Sequence, residues 1–136
     1  MSVSMEVVYQ CDLHCKAVHG PSRQELQTDA PADAGGRADR FSPTDLLGVA
    51  LGACVLTVMG AVAQRGGVDF KGARATVEKE MAADPLRRVG SLKVTVFFPP
   101  EQKMDLKMRS KLERAAHSCP VGQSLHPDVK VEVKFV

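Results

Sequence analysis

The chain has 136 residues, 44% of them hydrophobic, and a formal net charge of +2 from 18 basic and 16 acidic residues. These values are typical of one globular domain with its own core, which we predict to span residues 1–136. The basic residues form no run, and Trp is absent with only one Tyr, so a base-stacking nucleic-acid surface is not indicated. The first residues lack the basic start and apolar stretch of a signal peptide. We therefore expect a cytoplasmic protein whose four cysteines rest mainly as thiols.

Alternating apolar and polar residues predict strands at the N-terminus. From Val3 to Ala17 nearly all the apolar side chains share one parity, which indicates a strand with its apolar face inward. This segment is long for a single strand, so a hairpin turn is expected near Gln10 to Asp12. Arg23 to Asp29 is a candidate third strand.

An uncharged segment of 19 residues, Leu46–Gln64, predicts a long helix. Ser42 is a natural N-cap and Pro43 suits the first helical position, whereas Gly66 and Gly67 end the helix. The length raises the transmembrane question. The high Gly and Ala content and the absence of an aromatic belt favour a buried helix of a soluble protein, with no membrane partner.

The second half of the chain alternates strands and helices. The predicted elements are strands around Ala73–Glu78 and Ser91–Phe98, a helix opened by Pro99-Pro100 that carries Met104 to Ala116, a short helix over Val121–Leu125, and a strand over Val129–Phe135. This order indicates an α+β fold with an antiparallel sheet. A chain of this size cannot surround a helix that is apolar on every side, so we expect an obligate, two-fold symmetric homodimer to bury it.

Two cysteines are candidate reactive groups. Cys119 precedes Pro120 and is therefore expected at a helix N-cap, where backbone N–H groups and the helix dipole lower a thiol pKa. The alternative is a buried or capping cysteine without reactivity. Cys54 lies within the apolar helix, where a small inert core residue is the default, although Gly52 and Ala53 leave space beside it.

Three charged residues upstream of Cys54 are its candidate partners in the site. Asp45 lies nine residues before it, which we take to place both side chains on one side of the helix. Asp45 is equally suited to a capping box with Ser42, and both roles can coexist. Arg37 and Arg40 could each supply a cation that binds a carboxylate and a peroxide oxygen. Arg40 is preferred because Arg37 follows two glycines; the alternative for each is a solvated loop arginine.

Four residues of the types that bind zinc cluster in the N-terminal strands. Cys11, His14, Cys15 and His19 raise the hypothesis of a zinc site. Their spacing matches no standard zinc module, and strand alternation sends Cys11 and Cys15 to the apolar face and His14 to the other. We therefore predict core-strand positions and no bound metal.

Two motifs resemble those of the OsmC/Ohr family, the osmotically inducible and organic-hydroperoxide-resistance proteins. Phe41 to Gly48 and Ala50 to Cys54 are similar to the family's central-helix motif, and Ala115 to Leu125 (AAHSCPVGQSL) resembles its second cysteine motif. The resemblance implies an OsmC-like fold, in which antiparallel sheets wrap around long buried central helices in an intertwined homodimer. It implies active sites at the subunit interface and no metal, haem or flavin cofactor.

The resemblance also implies a chemistry. Cys54 would be the peroxidatic thiolate that reduces an organic hydroperoxide, with hydrogen peroxide as a second candidate oxidant. Cys119 would resolve the sulfenic acid as a disulfide, and an external dithiol would restore both thiols. This order reverses the local preference for Cys119 as the reactive thiol. Asp45 stands where the family usually has glutamate, and either Arg37 or Arg40 would be the active-site arginine.

A second hypothesis is a dimeric OsmC-like binding protein. Its interface pocket would hold a small apolar ligand, and its cysteine reactivity would be incidental. The peroxidase hypothesis requires the two cysteines within bridging distance and a charged pair near Cys54, whereas the binding hypothesis requires neither.

Overall fold

The computed structural model describes residues 1–100 and 103–136, which form two compact units, Met1–Leu46 and Leu47–Val136. Each unit contains a three-stranded sheet. A short 3-10 helix, Ala32–Ala34, follows the sheet in the N-terminal unit. The single domain over residues 1–136 stays a prediction.

The N-terminal sheet has the strand order β1-β2-β3, formed by β1 (Met5–Cys11), β2 (His14–His19) and β3 (Glu25–Asp29). All neighbours are antiparallel. The predicted hairpin turn is present one residue later, at Asp12 and Leu13, whose φ angles of 53° and 60° are left-handed. A bulge between Tyr9 and Cys11 then pairs Cys11 with His14. The bulge ends the simple alternation, so the predicted face of Cys11 is wrong.

The predicted inward face of the first strand is also wrong for the single chain. All seven residues of β1 are exposed, including Met5 at 65% and Val7 at 64%. β1 is an edge strand of its sheet, and its apolar side chains are open to solvent in the single chain. The buried part of this sheet lies where the start of β2 pairs with the end of β3. There His14 is 8% and Asp29 1% exposed.

Helix α1 (Pro43–Arg65) begins with the predicted cap. The Asp45 N–H donates to Ser42 Oγ at 3.0 Å, and the Ser42 N–H donates to Asp45 Oδ2 at 2.9 Å. This reciprocal arrangement is a capping box, which satisfies two N–H groups at the start of the helix. The helix ends at Arg65, and Gly67, with φ of 71°, lets the chain turn away.

Helix α1 is buried along one stripe rather than on every side. The buried residues recur every three or four positions: Gly48, Leu51, Gly52, Val55, Met59 and Ala63. Val49, Ala53 and Thr57 are exposed on another side. By length and composition α1 could cross a membrane, a test that the core helix of a soluble protein also passes, and 33% of its apolar window is buried. As expected for a chain of this size, the single chain does not surround α1.

The C-terminal sheet has the order β4-β5-β6, formed by β4 (Arg74–Ala82), β5 (Arg88–Phe97) and β6 (Lys130–Phe135). β4 and β5 are antiparallel, but β5 and β6 are parallel. The predicted antiparallel sheet is therefore wrong at this pair. Two helices separate β5 from β6, and this long crossover brings the chain back in the same direction.

The crossover contains α2 (Leu106–Ala116) and α3 (Pro120–Ser124). Asp105 caps α2, since its Oδ1 accepts from the Met108 N–H at 2.8 Å. Met104 precedes the helix, and the start predicted directly after Pro100 falls on residues 101 and 102, outside the described residues. The core of this unit joins α1, β5 and α2 through fully buried side chains, among them Leu51, Met59, Leu92, Val94 and Leu112.

Candidate functional site

Cys119 lies at the junction between α2 and α3, at the position that its sequence context predicts. It is the N-cap of α3, with Pro120 in the first turn. The Gly122 N–H donates to Cys119 Sγ at 3.2 Å. The fixed φ of Pro120 favours the start of a helix here, so local sequence explains the cap.

The electrostatics of Cys119 differ from the expectation. Burial raises the pKa of the Cys119 thiol, and the side chain is 2% exposed. The N–H groups of Gly122 and Val121 act in the opposite direction, because they stabilise a thiolate. Their effect is smaller than that of burial, so the predicted lowering of the Cys119 pKa is wrong.

Cys54 is the neighbour of Cys119 in the folded C-terminal unit. The Cys54 side chain lies close enough to Cys119 that the proximity of its thiol and the charge of an ionised Cys54 raise the pKa of Cys119 further. A negative charge on Cys54 therefore opposes a second one on Cys119. Cys54 is half-buried, whereas Cys119 is enclosed, and both are free cysteines. The fold thus brings together the two cysteines that lie in separate sequence motifs.

Asp45 and Arg40 line one surface pocket of about 540 Å³ in the N-terminal unit, together with the apolar Leu26 and Phe41. The Asp45 carboxylate contributes to the capping box described above. Nine residues span two and a half helical turns. Asp45 and Cys54 therefore leave α1 on opposite sides, and the expectation that they share one side is wrong.

The two candidate arginines have different acidic partners. Arg40 Nη1 lies 3.7 Å from Asp29 Oδ2, whereas Arg37 Nη2 donates to Asp12 Oδ2 at 2.6 Å. The Arg37 pair is solvent-exposed on both sides, at 52% and 66%. In the Arg40 pair the arginine is 45% exposed and Asp29 only 1%. Arg40 is thus bound to a fixed, enclosed carboxylate.

A buried ion pair between His14 and Asp29 is absent from the sequence-based predictions. His14 Nδ1 lies 2.6 Å from Asp29 Oδ1. The hydrogen bond from His14 lowers the pKa of Asp29 against the effect of burial, and the positive charges of His14, Arg40 and Arg37 lower it further. His14 and Asp29 are cross-strand partners of β2 and β3. That register is the signal that could have revealed the pair.

The zinc hypothesis gains no support from the arrangement of its four residues. His14 faces Asp29, and His19 Nδ1 lies 2.6 Å from Ser22 Oγ. Within residues 1–100 and 103–136, no group of three or more His, Cys, Asp or Glu side chains is arranged to hold a metal ion.

The chain is thus an α+β protein with a half-buried free cysteine on a long helix and a buried free cysteine at the N-cap of a short one. The model of the OsmC-like protein family matches residues 36–134, which include both cysteine motifs. The chain belongs to the OsmC-like family. Among curated proteins, none matches the chain significantly.

Solved structures agree with this assignment. A Psychrobacter arcticus 273-4 protein, provisionally described as an osmotic stress induced and detoxification response protein, is 41% identical, with a TM-score of 0.90 over 97% of this chain and 94% of that one. An organic hydroperoxide resistance protein from Legionella pneumophila has a TM-score of 0.78 at 15% identity, covering 99% and 96%. One from Elizabethkingia anophelis has a TM-score of 0.77 at 13% identity, covering 99% and 95%. At 15% and 13% identity, the last two structures show a shared fold only.

Proposed function

We propose that this protein is a cytoplasmic, thiol-dependent peroxidase that reduces organic hydroperoxides, with Cys54 as the peroxidatic and Cys119 as the resolving cysteine. The observation that carries the proposal is that half-buried Cys54 packs against the core cluster that contains buried Cys119, close enough to raise the pKa of Cys119. Hydroperoxide resistance, the property named for two proteins of the same fold, agrees with it.

The unequal burial of the two thiols supports their assignment. A peroxide can reach half-buried Cys54 more easily than enclosed Cys119. Burial and the neighbouring charge raise the pKa of Cys119, so that thiol keeps its proton and is the weaker candidate for the first attack. The thiolate is the nucleophile in such reactions.

The reaction balances with a hydroperoxide as oxidant and a dithiol as reductant. The Cys54 thiolate attacks the outer oxygen of ROOH, the O–O bond breaks, and the alkoxide leaves with a proton as ROH. Cys54 is then a sulfenic acid. The Cys119 sulfur attacks Cys54 Sγ, and the hydroxyl group leaves as water when the disulfide forms. An external dithiol reduces that disulfide and becomes a disulfide itself.

Arginine and carboxylate groups complete the proposal. We assign the activating cation to Arg40, with Arg37 as the alternative, because Arg40 lies in a pocket beside apolar side chains and Asp45. A guanidinium can stabilise the thiolate and bind the departing oxygen together. Asp45 would orient the cation rather than touch the thiol.

A homodimer is part of the proposal. The exposed apolar residues of β1 and the exposed side of α1 are surfaces that a second copy would cover. Apolar patches of this kind mark association sites more often than free surface.

The test follows thiols and intact mass after reduced protein receives one equivalent of cumene hydroperoxide or of hydrogen peroxide. Wild type should lose two thiols and the mass of two hydrogens as the disulfide forms. Cys119→Ser should accumulate a sulfenic acid that dimedone traps at residue 54. In Cys54→Ser, the remaining thiols should react with peroxide no faster than the thiols of the unfolded, reduced protein.

Cys11→Ser is the matched control, since Cys11 is a free, exposed cysteine outside the pair. It should react like wild type at Cys54 and Cys119. If peroxide leaves the thiols of wild type unchanged, the peroxidase proposal is wrong. If disulfide formation requires Cys11 instead, the assignment of roles is wrong.

A small-ligand-binding protein is the second candidate. The observation in its favour is an open, largely apolar pocket of about 470 Å³ on the N-terminal sheet, lined by Met5, Val7 and Leu26 among others. Native mass spectrometry of freshly purified protein would detect a retained apolar ligand. A retained ligand together with inert thiols would favour this function over peroxide reduction.

A further inference from the structure

The buried pair of His14 and Asp29 takes no part in the thiol chemistry proposed above, yet it contacts the candidate arginine. The Asp29 side chain is buried, with 1% of its surface exposed. A carboxylate in such surroundings needs charged or hydrogen-bonding partners to remain ionised. Its lowered pKa, caused first by the His14 hydrogen bond, agrees with an ionised group.

The two oxygens of Asp29 have different environments. Oδ1 binds His14 Nδ1 at 2.6 Å. Within the described part of the chain, Oδ2 is buried and has no hydrogen-bond partner. Arg40 Nη1 lies 3.7 Å from Oδ2, a distance that allows an ion pair but is too long for a hydrogen bond. The orientation of Asp29 is therefore set by His14, and its second oxygen is directed to the guanidinium.

The backbone reinforces this connection. The Asp29 N–H donates to the carbonyl of Phe41, the residue after Arg40, at 3.2 Å. Earlier in the loop, the Ala38 N–H donates to the Ala30 carbonyl at 3.3 Å. The loop that carries Arg40 is thus bound to the end of β3 on both sides of the arginine. A strand end held by cross-strand pairing is a more rigid support than the loop itself.

We propose that Asp29, oriented by His14, is the positioning residue of Arg40. The buried carboxylate sets where the guanidinium lies in its pocket, while the arginine remains 45% exposed and able to bind an anionic or peroxidic ligand. Asp29 touches no substrate in this proposal and acts only through Arg40. The positioning of Arg40 by Asp29 does not depend on the proposed function. Only the catalytic role of Arg40 rests on it.

The first experiment measures Arg40 itself and needs no enzymatic activity. Phenylglyoxal modifies accessible guanidinium groups, and peptide mass spectrometry gives the rate at each arginine. In Asp29→Asn the carboxylate charge is lost with little change in shape, so Arg40 should be modified several-fold faster than in wild type. Arg37, whose main partner is Asp12 and on which Asp29 has the smallest effect, should change much less and serves as the internal reference.

Two variants complete the comparison. Asp12→Asn should reverse the pattern, accelerating Arg37 and not Arg40. Glu25→Gln removes the charge of the Lys16–Glu25 pair on the same two strands and should accelerate neither arginine. If Asp29→Asn leaves the Arg40 rate unchanged, or accelerates both arginines equally through general loosening, the positioning role is wrong.

The second experiment separates this inference from the proposed function. Asp29→Asn should lower kcat/KM for cumene hydroperoxide in the wild-type background and have no further effect in Arg40→Met, because both changes act through one group. If Arg40→Met leaves kcat/KM unchanged, the catalytic role of Arg40 is wrong, while the labelling result still decides the role of Asp29. If Asp29→Asn lowers kcat/KM equally in both backgrounds, Asp29 does not act through Arg40.

Discussion

The close contact between α1 and β4 allows a quantitative prediction at Gly52, two residues before Cys54. A Cβ atom added at Gly52 would lie 2.8 Å from Val77 Cγ2, well inside van der Waals contact. Val77 is β-branched and stiff at χ1, so it cannot rotate away at low cost. We therefore expect Gly52→Ala to force the helix and the strand apart locally.

Gly48 offers the matched control on the same stripe of α1. A Cβ atom there would lie 3.4 Å from Val77 Cγ1 and 3.6 Å from Leu92 Cδ2, which are ordinary contacts. Both substitutions gain about 1 kcal/mol from helix propensity. Only Gly52→Ala also meets the cost of overpacking, about 1–3 kcal/mol. Gly48→Ala should then stabilise the protein by up to about 1 kcal/mol, and Gly52→Ala should be less stable than Gly48→Ala by about 1–3 kcal/mol.

Urea unfolding followed by circular dichroism measures both free energies, at one fixed protein concentration because association would shift them. Adding Val77→Ala should remove most of the difference between the two alanine variants, since it removes the methyl groups that the new Cβ meets. If Gly52→Ala and Gly48→Ala stabilise the protein equally, the steric reasoning is wrong. The same conclusion follows if Val77→Ala leaves their difference unchanged.

Three further predictions concern the thiols, the buried ion pair and the core. At neutral pH, iodoacetamide should label exposed Cys11 well before Cys119, whose pKa is raised by burial; peptide mass spectrometry would reveal this, and equal rates would contradict it. The folded-state pKa of Asp29 is lowered, so its ionised form stabilises the fold at neutral pH, and this contribution is lost as pH falls from about 4 through the folded pKa. Asp29→Asn should therefore show a weaker loss of Tm on acidification, and a slope equal to that of wild type would argue against an ionised Asp29. Leu92→Ala, at a position with 0% exposure, should lower the free energy of unfolding by about 2–5 kcal/mol in urea, and a loss under about 1 kcal/mol would mean that the cavity collapses.

The elements that local sequence determines were predicted well. Ser42, Pro43 and Asp45 define the start of α1 because capping depends on neighbours within one turn. The alternation over β5 depends equally on local residues. The direction of β6 was not predictable in this way, because parallel pairing with β5 follows from the path of the crossover.

The candidate site shows the same division between local and tertiary causes. The N-cap position of Cys119 follows from Pro120 alone, whereas the sign of its pKa shift depends on burial by distant parts of the chain. His14 was assigned to the polar face because strict alternation was assumed across the hairpin. The burial of His14 depends instead on the pairing of β2 with β3, whose register places His14 opposite Asp29.

The unequal environments of the two cysteines supply a physical reason for the order of their reactions. A cap that donates N–H groups would, by itself, make Cys119 the stronger nucleophile, but enclosure outweighs the cap and keeps the proton on that sulfur. Such a thiol is poorly suited to attack a peroxide from solution. It is suited to attack a sulfenic acid at Cys54, because the electrophilic sulfur of that residue already lies beside it and need not approach through solvent. On this argument, opening the enclosure of Cys119 without removing its thiol should make it compete with Cys54 for peroxide, and so weaken the division of roles.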